Sequence, residues 1–217
     1  MRTSLDWLTT LGGRFLVFDG PDGSGKSTQF RRFADLVTTR GVEVCEVREP
    51  GGTSIGEQIR EVLLDPANEG MDLRCEMLLY MASRAQLVQD RIQPCLDRGE
   101  LVLADRFVSS TLAYQGAAGG LALADIEAAA RIACGAAWPD LVVVFDVDER
   151  TAASRLNPLL DRMEAKGAAF HRRVRQGYLD QAAAEPARYL VVDATADAET
   201  VFERLLEGLR ARFTRGG

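Results

Sequence analysis

Residues 14–28 read Arg-Phe-Leu-Val-Phe-Asp-Gly-Pro-Asp-Gly-Ser-Gly-Lys-Ser-Thr, an apolar run that breaks into a glycine-rich turn and closes on Gly25-Lys26-Ser27-Thr28. That order predicts a strand, a phosphate-binding loop and a helix start. In the spacing Gly20-x-x-x-x-Gly25-Lys26-Ser27, the glycines let successive backbone N–H groups point at phosphate oxygens with no Cβ in the way. Lys26 then reaches the β- and γ-phosphates, and the Ser27 hydroxyl is placed for Mg2+. The helix expected over 28–39 turns its positive end toward the anion. Gly20, Pro21, Asp22, Gly23, Ser24, Gly25, Lys26, Ser27 and Thr28 are therefore the candidate nucleotide phosphate ligands. The loop alone names neither the reaction nor a second substrate.

After Phe15–Phe18, four more apolar runs follow, Val42–Val47, Leu101–Ala104, Leu141–Val147 and Tyr189–Val192, each trailed by a helical pattern. Strands alternating with helices imply an α/β fold, a five-stranded parallel sheet flanked by helices on both faces, as in P-loop NTPases. Near-continuous apolar runs fit strands buried on both sides, and ligands of such sheets gather at the strands' carboxyl ends. Residues 71–97 form the longest helical pattern, with Met77, Leu78, Met81, Ala85, Val88, Ile92 and Cys95 in an apolar stripe expected to face the core. Further helices are predicted over 54–64, 122–133, 149–155 and 198–213, and Gly116–Gly120 reads as a mobile loop. Proline at Leu156-Asn157-Pro158 breaks the pattern before Asp161-Arg162-Met163-Glu164, which makes residues 155–167 a lid candidate. With no repeat or linker in view, 14–217 reads as one domain behind an N-terminal extension, 1–13, whose Trp7 and Leu8 tuck against the body.

The strand ends carry chemistry. Arg48 opens Arg48-Glu49-Pro50-Gly51-Gly52-Thr53, where proline and glycines fix a turn and Thr53 can cap the next helix. A turn does not require an arginine, so Arg48 is equally a turn residue and an anion ligand on these grounds. Asp105 closes the third run, as expected for a carboxylate supporting Mg2+, with Arg106 beside it; a structural ion pair is the other reading. Tyr80 and Arg84, four apart, share a helix face and could meet one planar ligand. Ser109, Ser110, Thr111, Tyr114 and Gln115 offer hydrogen bonds suited to a base or sugar. Arg155, Arg162, Arg172 and Arg173 are the cations of the lid region.

The chain has 217 residues, 26 Lys and Arg against 32 Asp and Glu, and a net charge of −6, which argues against nucleic acid or an anionic membrane as the main partner. A chain of this length buries about 70% of its unfolded surface and needs no disulfide or metal to hold a core. Its four cysteines, Cys45, Cys75, Cys95 and Cys134, form no paired motif and read as reduced core residues of a cytosolic protein. No apolar run is long enough to span a bilayer, and the first residues lack a signal-peptide core.

Gly20–Thr28, Arg48–Thr53, Leu79–Val88, Asp105-Arg106, Tyr114-Gln115-Gly116 and Asp161–Glu164 occur in an order that resembles bacterial thymidylate kinases. The resemblance covers most of the chain. It implies transfer of phosphate from ATP to dTMP with Mg2+, in dTTP biosynthesis, by a cytoplasmic homodimer. It assigns ATP to Gly20–Thr28, the sugar 3′-hydroxyl to Asp22, and the acceptor phosphate to Arg48 and Arg106. By the same resemblance Tyr80 stacks on thymine and Arg84 reads its O4. Pro50, Ser110, Thr111, Tyr114 and Gln115 line base and sugar, with Tyr114 excluding a 2′-hydroxyl. Mg2+ falls to Ser27 and Asp105, and catalysis to Lys26, Arg48, Arg106 and the lid arginines Arg155 and Arg162.

Two departures stand out: Asp19 replaces the usual glutamate, and Leu156–Leu160 lacks the arginines that normally accompany a small residue at Gly23. A deoxynucleoside kinase would need a carboxylate base at a 5′-hydroxyl rather than a clamp of arginines on an acceptor phosphate. A GTPase would need Asn-Lys-x-Asp, which the sequence lacks. A catalytically weak nucleotide-binding relative is the remaining alternative.

Overall fold

The computed structural model describes residues 5–155, 162–163 and 166–214. Five parallel strands, Phe15–Asp19 (β1), Val44–Arg48 (β2), Leu101–Asp105 (β3), Leu141–Asp146 (β4) and Tyr189–Asp193 (β5), lie in the order β2-β3-β1-β4-β5. The register sets Val17 beside Ala104 and Val142, and Arg48 beside Asp105. β1, β3 and β4 are the continuous apolar runs, almost wholly buried. β2 instead alternates in burial and β5 is buried only at Tyr189 and Val192, because each lies at a sheet edge. The expectation of two-sided burial thus holds only for the three inner strands.

Alternation along β1 divides the core. Phe15 and Val17 face one layer and Leu16 and Phe18 the other. The second layer is closed by Lys26–Thr38 (α1) and Ala198–Phe213 (α9), and by the short turn Asp6–Leu11, whose Trp7, Leu8 and Leu11 are buried. The first layer is closed by Leu73–Leu87 (α3), Gln93–Asp97 (α4), Leu123–Cys134 (α6) and Ala168–Ala184 (α8), with Val108–Thr111 (α5) between. Ser54–Leu64 (α2) starts where Thr53 accepts a hydrogen bond from Gly56 N at 3.0 Å, as its sequence predicts. Glu149–Arg155 (α7) ends at the first residue of the predicted lid segment. The predicted break at Leu156-Asn157-Pro158 lies outside the described residues, as do Asp161 and Glu164.

Three expectations need correction. Residues 112–118 form a π-helical turn, where a loop was expected from 116 onward. A Cβ on Gly116 would come within 2.5 Å of the Leu123 side chain, so the glycine allows close packing on α6 rather than mobility. Cys45 and Cys95 are joined as a disulfide, with Cα atoms 6.3 Å apart, and Cys75 is exposed. The pair is 50 residues apart in sequence, and only the docking of α4 on β2 brings it together. On α3 the stripe is also shifted: Leu78 and Ala85 are exposed, while Ser83 and Arg84 are buried. Arg84 can take a core position because an acid meets it there, as described below.

Candidate active site

The loop after β1 is shaped by close backbone approaches. A Cβ on Gly20 would sit 2.6 Å from Phe145 O, and one on Gly23 would sit 2.5 Å from Ala152 O in α7. Gly25 adopts φ 78° and opens α1 with no side-chain cap, leaving the helix's first N–H groups directed at the loop. Pro21, Asp22, Gly23, Ser24, Gly25, Lys26, Ser27, Thr28 and Gln29 line a cavity of about 540 Å3, walled opposite by Arg155 and the β5–α9 connection at Ala194–Ala198. Gly20 does not line it; its part is to turn the chain against β4. The buried hydroxyl of Ser24 has no partner among the described residues, which fits a phosphate oxygen as its acceptor.

A second cavity of about 300 Å3 opens between the ends of β2 and β3, α3 and the π turn. Arg48, Pro50, Tyr80, Arg84, Asp105, Arg106, Ser110, Thr111, Tyr114 and Gln115 all line it, so every predicted acceptor-site residue is brought to one place. Asp22, Lys26, Ser27 and Arg106 line both cavities. The two spaces therefore meet at one lysine, one arginine, one carboxylate and one hydroxyl.

The junction is a dense network. Arg106 is the one non-glycine with positive φ among the described residues, at 70°. Its NH1 donates to Gly20 O at 3.3 Å, Ser110 Oγ at 3.1 Å and the Tyr178 hydroxyl at 3.2 Å, and its NH2 to Asp22. The Tyr114 hydroxyl donates to the other Asp22 oxygen at 2.6 Å. Burial works to raise the Asp22 carboxyl, but Arg106, the Tyr114 hydroxyl and Lys26 hold it below the usual carboxylate range. Burial likewise opposes the Arg106 charge, yet Tyr114, Asp22, Tyr178 and Asp19 keep it protonated far above its ordinary range. Burial, then Arg106, lowers Lys26, while its ion-pair partner Asp105 raises it.

Beneath the loop, fully buried Asp19 accepts from Gly20 N at 2.9 Å, Ser109 Oγ at 2.6 Å, Ser110 Oγ at 2.7 Å and the Tyr178 hydroxyl at 2.6 Å. The shortened acid is thus a four-bond anchor for the loop. Tyr178, on α8, gave no signal in the sequence, because only tertiary packing sets it over β1. Arg60 also lines the acceptor cavity and donates to Pro50 O at 2.9 Å. It sits mid-helix in α2, where nothing local distinguishes it from a solvated arginine.

The remaining candidates divide. Arg48 lies on the rim, held by both oxygens of Glu57 at 3.0 Å. Gln115 donates to Glu76 at 2.7 Å. Arg155 donates to the carbonyls of Ala194, Thr195 and Ala196, which places it on the donor cavity rather than between the two. Arg162 is buried, donating to Leu63 O at 2.6 Å and lying 2.6 Å from Glu76, and it lines neither cavity. The two arginines predicted for a lid therefore stand apart from the junction, and among the described residues Lys26 and Arg106 are the cations that line it.

A family model described as thymidylate kinase matches residues 18–205. The chain belongs to the thymidylate kinase family. It is 46% identical to a thymidylate kinase of Symbiobacterium thermophilum over 206 residues, covering 93% of this chain and 96% of the relative. It is 49% identical to that of Deinococcus radiodurans over 187 residues, covering 84% and 89%. Among solved structures, the crystal structure of thymidylate kinase from Ehrlichia chaffeensis superposes with a TM-score of 0.75 at 32% identity, covering 91% of this chain and 98% of that one. As a member of this family the protein is an enzyme, a kinase acting on thymidylate.

Proposed function

We propose that the protein transfers the γ-phosphoryl group of ATP directly to the 5′-phosphate of dTMP, giving ADP and dTDP for dTTP synthesis. The observation that carries this reading is the meeting of two cavities at Asp22, Lys26, Ser27 and Arg106. An acceptor phosphate is already an anionic nucleophile near neutral pH, so the task left to the protein is to align two polyanions and offset their repulsion. Lys26 and the open N-terminus of α1 hold the donor phosphates. Arg106, with Arg48 at the rim, draws in the acceptor phosphate. Asp22, fixed by Arg106 and Tyr114, faces the sugar, and Tyr80 and Arg84 take the base.

Ser27, where the cavities meet, and Asp105, in the acceptor cavity beside Lys26, offer hard oxygen ligands that would suit Mg2+; the ion, when bound, would neutralise phosphate charge there. No helix among the described residues is long and apolar enough to cross a membrane, and a cytoplasmic location accords with the family. A homodimer is supported by exposed Ile55, Val62, Leu78, Leu123 and Ile132, carried by α2, α3 and α6, which pack side by side.

The test is ADP release with dTMP, dUMP, CMP, GMP, AMP and thymidine as acceptors. Turnover highest with dTMP is expected. Activity confined to thymidine, or a preference for GMP, overturns the proposal.

A further inference from the structure

Glu49 lies within the Arg48–Thr53 motif, which gives it no role, yet it is buried against the acceptor cavity beside Arg84, whose side chain is 1% exposed. Arg84 Nε donates to the Glu49 carboxylate at 2.9 Å, and NH2 donates to Glu49 Oε2 at 2.6 Å and to Thr111 Oγ1 at 3.1 Å. A guanidinium carries five N–H donors in a rigid fork. The Nε–H and both NH2 hydrogens are thereby engaged. The two on NH1 meet only the Met81 sulfur, at 3.0 Å, among the described residues. The Phe107 ring, 5.1 Å from the guanidinium carbon, further restrains the plane.

We infer that Glu49 is the positioning residue for base selection: it clamps one side of the Arg84 guanidinium in the wall of the acceptor cavity, so that a fixed edge of donors faces the base. This rests on the proposal that Arg84 reads thymine. A thymine carbonyl at ring position 4 accepts from such an edge, whereas the cytosine amino group there is itself a donor and meets like with like. A site built around a fixed donor discriminates through the group left unpaired by the wrong ligand, so selectivity depends on the clamp as much as on the arginine. Loosening Glu49 lets Arg84 rotate or swing, and the edge ceases to be fixed.

The experiment compares kcat/KM for dTMP and dCMP in the wild type, Glu49→Gln and Glu49→Asp, with melting temperatures recorded for each. In the wild type dTMP is favoured by roughly a hundredfold or more. Glu49→Gln should cut that ratio at least about tenfold, chiefly through a higher KM for dTMP, with the KM for ATP little changed. Glu49→Asp keeps the charge but shortens the reach, and should fall between the two. If the glutamine variant does not fold, the aspartate variant decides on the same ratio. A folded variant that retains the wild-type dTMP/dCMP ratio overturns the inference. A wild-type enzyme that shows no dTMP preference instead overturns the reading of Arg84 beneath it.

Discussion

Replacing Arg84 with methionine keeps most of the side chain's length and removes the guanidinium, leaving Glu49 buried without its partner. Both groups are almost wholly enclosed, at 1% and 3% side-chain exposure, so solvent cannot replace the lost contact. Breaking such a pair costs about 3–5 kcal/mol, a large share of the roughly 5–15 kcal/mol that holds a domain folded. The cost should depend on pH. Burial pushes the Glu49 carboxyl up to about 7 from 4.5, against the lowering effect of Arg84. Without Arg84 it rises further. A folded-state pKa above the unfolded one means that the folded protein holds more protons across that window, so stability falls as pH rises through it. For the wild type this loss ends near pH 7; in Arg84→Met it continues above 7, at about 1 kcal/mol per pH unit. The destabilisation measured by urea unfolding, followed by circular dichroism, should thus be roughly 1–2 kcal/mol larger at pH 8.5 than at pH 6.5. The KM for dTMP should rise strongly, with ATP binding nearly unchanged. A destabilisation below about 1 kcal/mol, far under the expected cost, or one equal at both pH values, would refute the paired, buried state.

Lys26→Ala should lower kcat by about two to three orders of magnitude while circular dichroism shows an intact fold, since Asp105 keeps partial access to water; near-wild-type turnover would contradict a phosphate role. Gly23→Ala places a Cβ 2.5 Å from Ala152 O at φ 77°, so α7 must shift. The expected result is a melting temperature several degrees lower and a higher KM for ATP, and calorimetry showing no change would remove α7 from its place over the loop. In denaturant, maleimide should label two cysteines before reduction and four after it. Four labels without reductant would break the assignment of the Cys45–Cys95 bond.

Gly20–Thr28 is legible because its proposed chemistry is local: the glycines, lysine and serine that would hold one anion fall within one turn. The five strands and the Thr53 cap are legible for the same reason, each being set by near neighbours. Arg48, Arg106, Tyr80 and Arg84 could be placed at strand ends and on a helix face by topology, and they do line one cavity. What could not be read is how they are held. Nothing in the sequence pairs Glu49 with Arg84, 35 residues on, or Asp19 with Tyr178, 159 residues on. Those partners are chosen by the crossing of helices over the sheet, where burial removes water and leaves each charge or hydroxyl to bond whatever lies opposite. The same holds for Arg162, drawn to Leu63 O and Glu76 and away from the junction. The sequence by itself determined that nucleotide phosphates are bound between a strand and a helix. Only the tertiary structure decided which side chains fix the ligands' neighbours, because orientation in a buried site is a property of long-range contacts that no local pattern encodes.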